Sequence, residues 1–363
     1  MIKVAVVGLG KMGISHLGII NAHPDVEVVA VCDPTKYLID VLEKYSGIKG
    51  YTDYDRLLAD AALDAVVIAT PSRLHAPMVE KALAKGLHVF CEKPFALDPA
   101  DSRRLAAMAA EKGVVNQVGY HYRFVGTFQE TKRLLDAGAI GEITAVMAEA
   151  YGPVVLKPKG STWRTQSSQG GGCLYDYAAH PLNLLNWYFG APETVAGSVL
   201  KKVFSRDTDD EVYSTLAYPG AMTAQLSVSW SDESYRKMGT RITVRGTAGK
   251  IVADRQELQV YLRDTATVPA GYQEGWTLKY VTDLTDAVWF YIRGEEYSAQ
   301  IDWFARSIAD RNLPGRNTFA DACQTDDTIA MIKADAEGLT PAATRRPAAA
   351  PKRAGSIFNI FSR

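Results

Sequence analysis

The first third of the chain alternates between two hydrophobic patterns. Short β-branched runs such as IKVAVVG, VEVVAVC and LDAVVI show no polar alternation, which is typical of strands that are buried on both faces. The segments between them, such as KMGISHLGII, carry apolar residues at helical spacing. Strand and helix recur about every 25 to 30 residues, and this recurrence predicts an α/β fold with a doubly wound parallel sheet.

The pattern changes in the second part of the chain. In YSTLAYPGAMTAQLSVSWS, apolar and polar residues alternate on both sides of a Pro-Gly turn, which indicates antiparallel strands. Two later segments, EEYSAQIDWFARSIADRN and FADACQTDDTIAMIKADAEG, have the spacing of amphipathic helices whose apolar faces enter a core. The chain therefore predicts an α/β unit that is followed by a unit of antiparallel strands and helices.

The composition excludes some classes of protein. With 363 residues, 47% hydrophobic and 22% charged, the chain has the length and balance of two globular domains. A formal net charge of −1 argues against a nucleic-acid partner, because such binders usually carry a basic excess. The four cysteines are scattered, so we expect reduced thiols and a cytoplasmic location. The sequence contains no run of about eighteen apolar residues, so we predict no transmembrane segment. We assign no residue to a metal site.

The first strand-to-helix turn carries the pattern G-x-G-x-x-G. Such glycines allow a tight turn, close approach of the backbone to a pyrophosphate, and close packing of helix on strand. Asp33, which ends the second strand, would bind ribose hydroxyls and repel a 2′-phosphate, so the sequence favours NAD over NADP. The alternative is a tightly packed turn without a ligand. We assign these cofactor contacts to the turn: Gly8, Gly10, Lys11, Met12 and Gly13.

Further polar side chains follow the other strands of the predicted parallel sheet. Ligands of such sheets bind beyond the carboxyl ends of the strands. Lys93, in the motif E-K-P, is placed there to polarise a carbonyl or to stabilise an alkoxide beside a nicotinamide. The alternative is a surface lysine in a turn before a proline. We expect these residues to line the cofactor crevice: Thr70, Pro71, His75, Glu92 and His121.

Four motifs, GLGKMG, EKP, HYRF and GGGCLYDYAAH, occur in an order and spacing that resemble the glucose–fructose oxidoreductase and inositol dehydrogenase family (Gfo/Idh/MocA). The resemblance covers about residues 1 to 338. It implies a Rossmann domain and an α+β domain whose large, mostly antiparallel sheet is open on one face and serves homodimer or homotetramer contacts. It also implies NAD-dependent hydride transfer at a secondary alcohol or ketone of a sugar, nucleotide sugar or cyclitol.

The resemblance places Lys93, Asp176 and His180 on the family's active-site lysine, aspartate and histidine. Asp176 and His180 are four residues apart and would share one helix face, after glycines that let the backbone approach a bound ligand. We expect His180 to be the acid/base, Asp176 to orient it, and Lys93 to stabilise the alkoxide. The alternative is an Asp–His pair that only stabilises a helix. His121 and Asn183 depart from the family, which often has asparagine and a second aspartate there.

Substrate binding is assigned to four residues: Arg123, Trp163, Arg164 and Asn183. Arg164 follows Lys157 and Lys159, where cations suit a phosphate or carboxylate; a solvated loop is the alternative. Two other functions stay open: an NAD-dependent glycoside hydrolase that works by transient oxidation, and a non-catalytic protein that holds the cofactor. Net formation of NADH would separate the oxidoreductase from the hydrolase.

We divide the chain into a Rossmann domain (1–122), an α+β substrate-binding and oligomerisation domain (123–338) and a tail (339–363). The tail is basic and rich in alanine and proline, which is typical of an extended linker, and it ends in a small apolar cluster. We expect the tail to dock on a neighbouring subunit, a partner enzyme or an anionic membrane; the alternative is a tail without a role.

Overall fold

The computed structural model describes residues 1–156, 162–285, 289–290 and 295–339. Lys157, Lys159 and residues 340–363 of the predicted tail lie outside the described residues. Two sheets organise the described chain, one of six strands and one of eight. None of the helices in these ranges has both the length and the hydrophobicity that crossing a bilayer requires.

Six parallel strands form the first sheet: β1 (Ile2–Val7), β2 (Val26–Cys32), β3 (Lys49–Tyr51), β4 (Ala65–Ile68), β5 (His88–Cys91) and β6 (Asn116–Val118). Their order is β3-β2-β1-β4-β5-β6, so the chain reverses its winding direction between β1 and β4. Val4 and Val6 enter one core, and Ala5 and Val7 enter the other. Apolar runs predicted β1, β2, β4 and β5 but not the short strands β3 and β6, and the doubly wound sheet is confirmed.

Helices cover both faces of this sheet: α1 (Lys11–Ile20), α2 (Lys36–Ser46), α3 (Tyr54–Asp60), α4 (His75–Ala84) and α5 (Pro99–Lys112). Short 3₁₀ turns at Ser72–Leu74 and His121–Phe124 follow β4 and β6. Helix α5 begins where the carboxylate of Asp98 accepts a hydrogen bond from the backbone of Ala100. The turns and helix N-termini that follow these strands stand at one edge of the sheet, where the site is built.

Eight strands form the second sheet: β7 (Ile143–Tyr151), β8 (Thr194–Lys201), β9 (Glu211–Ala217), β10 (Thr223–Ser229), β11 (Gly239–Gly246), β12 (Gly249–Asp254), β13 (Glu257–Leu262) and β14 (Gly275–Tyr280). The order is β14-β13-β12-β11-β7-β10-β9-β8, and β7 and β10 run parallel while the other neighbours are antiparallel. Along β7, Val146, Ala148 and Ala150 are buried but Met147 is exposed. The large, mostly antiparallel sheet is confirmed.

The later helices are α6 (Gly126–Asp136), α7 (Ala179–Phe189), α8 (Val281–Leu284), α9 (Glu295–Ala309) and α10 (Phe319–Ala336). A π-helical turn (Leu174–Ala178) precedes α7, and 3₁₀ turns occur at Trp163–Thr165, Ser167–Gln169 and Pro219–Ala221. Helix α9 returns to the first sheet, where Ile301 and Phe304 share a core with Val4 and Val67. Helix α10 packs on α5 and α7. Both late helices therefore contact the layers of the first sheet, while the domain boundaries themselves stay a prediction.

Candidate active site

Three glycines, Gly8, Gly10 and Gly13, shape the turn from β1 into α1. Gly8 has a φ of 88°, and a Cβ on it would lie 2.8 Å from the carbonyl oxygen of Ala69. A Cβ on Gly13 would lie 1.7 Å from the carbonyl oxygen of Gly8, so only glycine permits this approach of helix to strand. A Cβ on Gly10 would meet no protein atom within 4 Å. The turn is therefore closed against the protein at two glycines and open at the third.

The start of α1 fits the pyrophosphate of NAD. Gly10 is the N-cap and makes no side-chain hydrogen bond, so the first N–H groups of the helix face the open side without a side-chain cap. Asp33 follows β2, and its carboxylate accepts hydrogen bonds from the N–H groups of Leu9 and Thr35 at 2.8 and 2.9 Å. The acid thus lies against the turn, where a ribose would be bound. Two other predicted contacts begin α1: Lys11 and Met12.

His75 contacts the backbone of two loops. The ring is buried, and its two nitrogens lie 2.8 and 2.9 Å from the carbonyl oxygens of Pro94 and Thr70. Burial lowers the pKa of His75, while the hydrogen bonds to the two carbonyl oxygens oppose this effect. Thr70 and Pro71 follow β4 directly. His75 therefore connects the loop after β4 to the loop after β5, and its contact with the cofactor stays a prediction.

Glu92 joins the cofactor turn to the loop that carries Lys93. Its buried carboxylate lies 2.6 Å from Nε2 of His16 in α1 and accepts a hydrogen bond from the backbone N–H of Lys93 at 3.1 Å. Burial by itself would raise the pKa of Glu92, but the hydrogen bonds and charges of His16 and Lys93 together outweigh burial and lower it. A Cβ on Gly119 would lie 3.0 Å from this carboxylate, so the chain after β6 packs closely against it.

Lys93 forms the central ion pair of the site. Its Nζ lies 2.8 Å from both the backbone oxygen and Oδ1 of Asp176. The other carboxylate oxygen, Oδ2, accepts a hydrogen bond from Nε of Arg164 at 2.8 Å, and this guanidinium lies over the ring of Trp163. The side chains of Lys93 and Asp176 are only 13% and 7% exposed. Three charges from distant parts of the chain therefore meet beside the first sheet.

The two cations keep Asp176 ionised. Burial alone would raise the pKa of this carboxyl, but the positive charges of Lys93 and Arg164 and their hydrogen bonds hold it well below its usual range. Removal of one partner from a buried pair typically costs about 3 to 5 kcal/mol, because the remaining charge is left uncompensated. The carboxylate is thus a fixed anion that holds the ammonium of Lys93 in one place.

His180 lies beside this ion pair in a different arrangement from the one we expected. It follows the π-helical turn that contains Asp176, and its ring packs against His121 and Tyr122 with centroids 5.1 and 4.9 Å apart. Within the described part of the chain, the buried Nδ1 of His180 has no hydrogen-bond partner. Asp176 therefore does not orient His180 as predicted, because both of its carboxylate oxygens bind cations and the wider π turn changes the phase of the helix.

Burial disfavours the charged form of two histidines of the site, His180 and His121. Burial, reinforced by the positive charge of Lys93, lowers the pKa of His180 well below its usual value. Burial and the positive charge of Arg255 lower the pKa of His121 to about 3.

The three glycines before the π-helical turn approach protein atoms. A Cβ on Gly170 would lie 2.6 Å from a leucine side chain, and one on Gly171 would lie 2.3 Å from the carbonyl oxygen of Arg164. Gly172 has a φ of 115°, and a Cβ on it would lie 2.4 Å from Oδ1 of Asp209. These glycines let the segment close on its own chain, and their approach to a ligand stays a prediction.

Arg123 and Asn183 belong to a buried network. Nε of Arg123 donates to Oδ1 of Asn183 at 2.9 Å, and the guanidinium lies 3.3 Å from Asp321 of α10. The side-chain amide of Asn183 donates to the hydroxyl of Thr325, also in α10, at 3.3 Å. Of the four residues assigned to substrate binding, these two therefore hold α10 in place, and the other two lie at the ion pair.

A cavity of about 630 Å³ opens next to this region on the side of the second sheet. Thr240 and Arg255 line it, and they also contact Tyr122, by a hydrogen bond of 3.3 Å and by stacking. Tyr122 thus contacts both His180 and two residues that line the cavity. Among the described residues, no group of three or more histidine, cysteine or carboxylate side chains could hold a metal ion.

The sequence reasoning missed three residues around the site: His16, Arg255 and Tyr297. Tyr297, from α9, stacks on His121 with ring centroids 4.5 Å apart. Arg255 and Tyr297 come from segments without a motif, so no local signal marks them. His16 had a signal, since it stands three residues after the last glycine of the cofactor turn, on the helix that the turn begins.

The cofactor turn and the ion pair lie beside the same sheet, as an NAD-dependent oxidoreductase requires. The sequence then specifies the family. Residues 2–120 match GFO_IDH_MocA, described as "Oxidoreductase family, NAD-binding Rossmann fold", and residues 128–252 match the "GFO/IDH/MocA C-terminal domain". The chain belongs to the Gfo/Idh/MocA oxidoreductase family, and the resemblance inferred from the motifs is confirmed.

Known proteins are similar to most of the chain. It is 30% identical over 269 residues to 2,7-anhydro-N-acetylneuraminate hydratase of Escherichia coli (strain K12), covering 72% of this chain and 70% of that one. It is 30% identical over 256 residues to dTDP-3,4-didehydro-2,6-dideoxy-alpha-D-glucose 3-reductase of Streptomyces violaceoruber, covering 70% and 73%. The crystal structure of GenD2 from gentamicin A biosynthesis in complex with NAD is 26% identical, with a TM-score of 0.76 over 93% of this chain and 94% of that one.

Proposed function

We propose that this enzyme transfers a hydride between NAD and a secondary alcohol or ketone of a sugar, nucleotide sugar or cyclitol. The observation that carries the proposal is the buried pair of Lys93 with Asp176, beside the sheet whose glycine turn fits NAD. A fixed ammonium suits an oxygen atom that gains negative charge during the reaction. The names of two relatives, a dTDP-sugar reductase and an anhydro-sugar hydratase, support a carbohydrate substrate.

Lys93 stabilises the substrate oxygen. Bound NAD supplies the hydride acceptor in the oxidation direction. As the hydroxyl loses its proton, the ammonium of Lys93 offsets the developing charge, and it needs little reorganisation because Asp176 already fixes it. Arg164 binds the second oxygen of Asp176, so the carboxylate is shared and Lys93 keeps part of its positive field.

His180 accepts the proton of the hydroxyl. Burial keeps its imidazole uncharged, and its Nδ1 has no hydrogen-bond partner in the described ranges. Trp163 and Arg164 lie next to the pair and are assigned to substrate binding; Arg164 is 40% exposed at its side chain, enough to reach a ligand.

A substrate panel tests the function. The purified chain is incubated with NAD⁺ and with sugars, nucleotide sugars and cyclitols, and NADH absorbance and product masses are recorded. Lys93→Met should lower kcat on any active compound by about a thousandfold, as for other groups that stabilise an oxyanion, while NADH fluorescence titration shows nearly unchanged binding. Lys85→Met, an exposed lysine after α4, is the matched control and should keep the rate. Retention of most of kcat by Lys93→Met would refute the assignment.

The same assay separates the other functions. One relative is named a hydratase, and a product that forms without net NADH would favour such a redox-neutral reaction, including glycoside hydrolysis by transient oxidation. Tight NADH binding without any product from the panel would favour the non-catalytic alternative.

We also propose a cytoplasmic homodimer or homotetramer that associates through the open face of the second sheet. The free cysteines among the described residues support a reducing compartment. Exposed apolar residues on the last strands, including Trp276 and Leu278, support association of this face. Light scattering should give the mass of an oligomer, and Trp276→Glu should dissociate it; a monomeric wild-type chain would contradict the proposal.

A further inference from the structure

We propose that Asp209 is a positioning residue whose carboxylate fixes the segment from Gly172 to Asp176 and so sets the geometry of the Lys93–Asp176 pair. The inference rests on the proposed function for its kinetic consequence, because that function assigns the chemistry to this pair. Its structural consequence can be measured independently.

Asp209 accepts two hydrogen bonds from the start of the π-helical turn, one at its backbone oxygen and one at its carboxylate. Its backbone oxygen accepts a hydrogen bond from the N–H of Cys173 at 2.9 Å, and its Oδ2 accepts one from the N–H of Leu174 at 2.6 Å. Leu174 begins the π-helical turn, and N–H groups at a helix start need partners from outside the helix. Asp209 supplies this partner from 35 residues further along the chain.

The same carboxylate explains the last glycine of the run. Oδ1 of Asp209 lies 2.4 Å from where a Cβ on Gly172 would be. The N–H of Gly172 donates to the backbone oxygen of Arg164 at 3.2 Å, and its own backbone oxygen accepts from the N–H of Asp176 at 3.0 Å. Asp209 thus packs against Gly172, and the backbone of Gly172 is hydrogen-bonded both to Arg164 and to Asp176.

The loop that carries Asp209 is itself fixed. The neighbouring Asp210 is fully buried, and its carboxylate accepts hydrogen bonds from the N–H groups of residues 203–205 and from Nε1 of Trp230. Trp230 is also fully buried. Because the support is anchored in the core of the second sheet, it can hold the segment of Asp176 rather than move with it.

The role needs a hydrogen-bond acceptor at one place. Removal of the carboxylate would leave the N–H of Leu174 unpaired and would open space under Gly172, so that Asp176, two residues later, could move. Asparagine would keep an oxygen for this N–H, whereas alanine would not. A displacement of about 1 Å in a catalytic group can cost about a hundredfold in rate.

The first test is structural and needs no substrate. Crystal structures of Asp209→Ala and Asp209→Asn with NADH are compared with the wild type. We expect Asp209→Ala to lose the 2.8 Å contacts between Lys93 Nζ and Asp176, and Asp209→Asn to keep them. Unchanged contacts in Asp209→Ala would overturn the inference, whether or not the proposed function holds.

The second test is kinetic and uses the panel compound that the wild type turns over. Asp209→Ala should lower kcat about a hundredfold, with KM for NAD within about twofold, and Asp209→Asn should restore most of kcat. If Asp209→Ala does not fold, Asp209→Glu replaces it, because it keeps the charge but displaces the acceptor and should lower kcat more than Asp209→Asn does.

Asp207→Ala is the matched control. Asp207 is an exposed acid of the same loop, and it binds the N–H and hydroxyl of Ser167 instead of the π-helical turn. It should keep kcat; an equal loss in Asp207→Ala, or a failure of asparagine to rescue, would overturn the specific role of Asp209. Full turnover in Lys93→Met would instead refute the proposed function and leave the crystallographic result to judge the inference.

Discussion

The two glycine-rich segments of this enzyme look alike in sequence but solve different problems. In the cofactor turn, Gly8 and Gly13 close on the protein, and Gly10 leaves one side open to a ligand. In the second run, Gly170–Gly172, each missing Cβ would collide with protein atoms. The first segment shapes a surface for NAD, and the second packs the chain so that charged side chains meet.

The difference teaches that a glycine motif has a meaning only together with its neighbours. Glycine permits a close approach, but the sequence does not say whether ligand or protein makes it. Changes to alanine should therefore separate the segments: a closed glycine should cost stability, and an open one should cost cofactor affinity.

The largest effect is expected for Gly13→Ala. Its Cβ would lie 1.7 Å from the carbonyl oxygen of Gly8, and neither backbone can move without separating α1 from β1. We expect the free energy of unfolding to fall by about 3 kcal/mol, at the upper end for overpacked sites, and NADH binding to weaken as well. Urea denaturation measures the first and fluorescence titration the second. A stable Gly13→Ala variant would show that the turn is looser than described.

Gly171→Ala comes next. The new Cβ would lie 2.3 Å from the carbonyl oxygen of Arg164, so the segment that presents this arginine must shift. Overpacking of this kind costs about 2 kcal/mol, and kcat should fall while the affinity for NADH stays near that of the wild type. Urea denaturation, NADH titration and the substrate assay measure these three quantities. A variant with weakened NADH binding and normal kcat would contradict the distinction between the two glycine segments.

Gly10→Ala tests the glycine of the cofactor turn that is open to a ligand. A Cβ there meets no protein atom within 4 Å, and its φ of −67° is open to alanine. The free energy of unfolding should change by less than about 1 kcal/mol, but the methyl group would stand where the pyrophosphate approaches. We expect the dissociation constant for NADH to rise about tenfold, or about 1.4 kcal/mol. Unchanged NADH affinity would mean that the cofactor does not approach this glycine.

The smallest effect concerns the uncharged histidines around the second segment. Burial holds the pKa of His121 at about 3, below its usual value of about 6.5, so the unfolded state binds more protons as the pH falls below 6.5. Stability contributed by the neutral ring is present above that pH and is lost in acid. Between pH 7 and pH 6 the wild type should lose about 0.7 kcal/mol more than His121→Asn. Parallel stability curves for the two proteins would contradict the assigned pKa.

The sequence predicted best the features that depend on local pattern. Apolar runs predicted four of the six strands of the first sheet, and glycine spacing with Asp33 predicted the cofactor turn. The π-helical turn was not predicted, because five residues with apolar spacing fit an α-helix equally well. The pairing of Asp176 was not predicted either, because Asp176 binds Lys93, which lies 83 residues earlier, instead of the nearby His180. Spacing shows which side chains share a face, but charge and burial decide which of them pair.

Packing of α9 on the first sheet has a consequence for how the chain is made. Ile301 and Phe304 complete the apolar layer over Val4 and Val67, so the sheet that emerges first from the ribosome is finished by one of the last helices. At bacterial or eukaryotic elongation rates, roughly 180 further residues take roughly 10 to 40 seconds to synthesise. During that time α1 covers part of this face, and the part that Ile301 and Phe304 later cover stays exposed, so we expect the newly made N-terminal half to bind cotranslational chaperones.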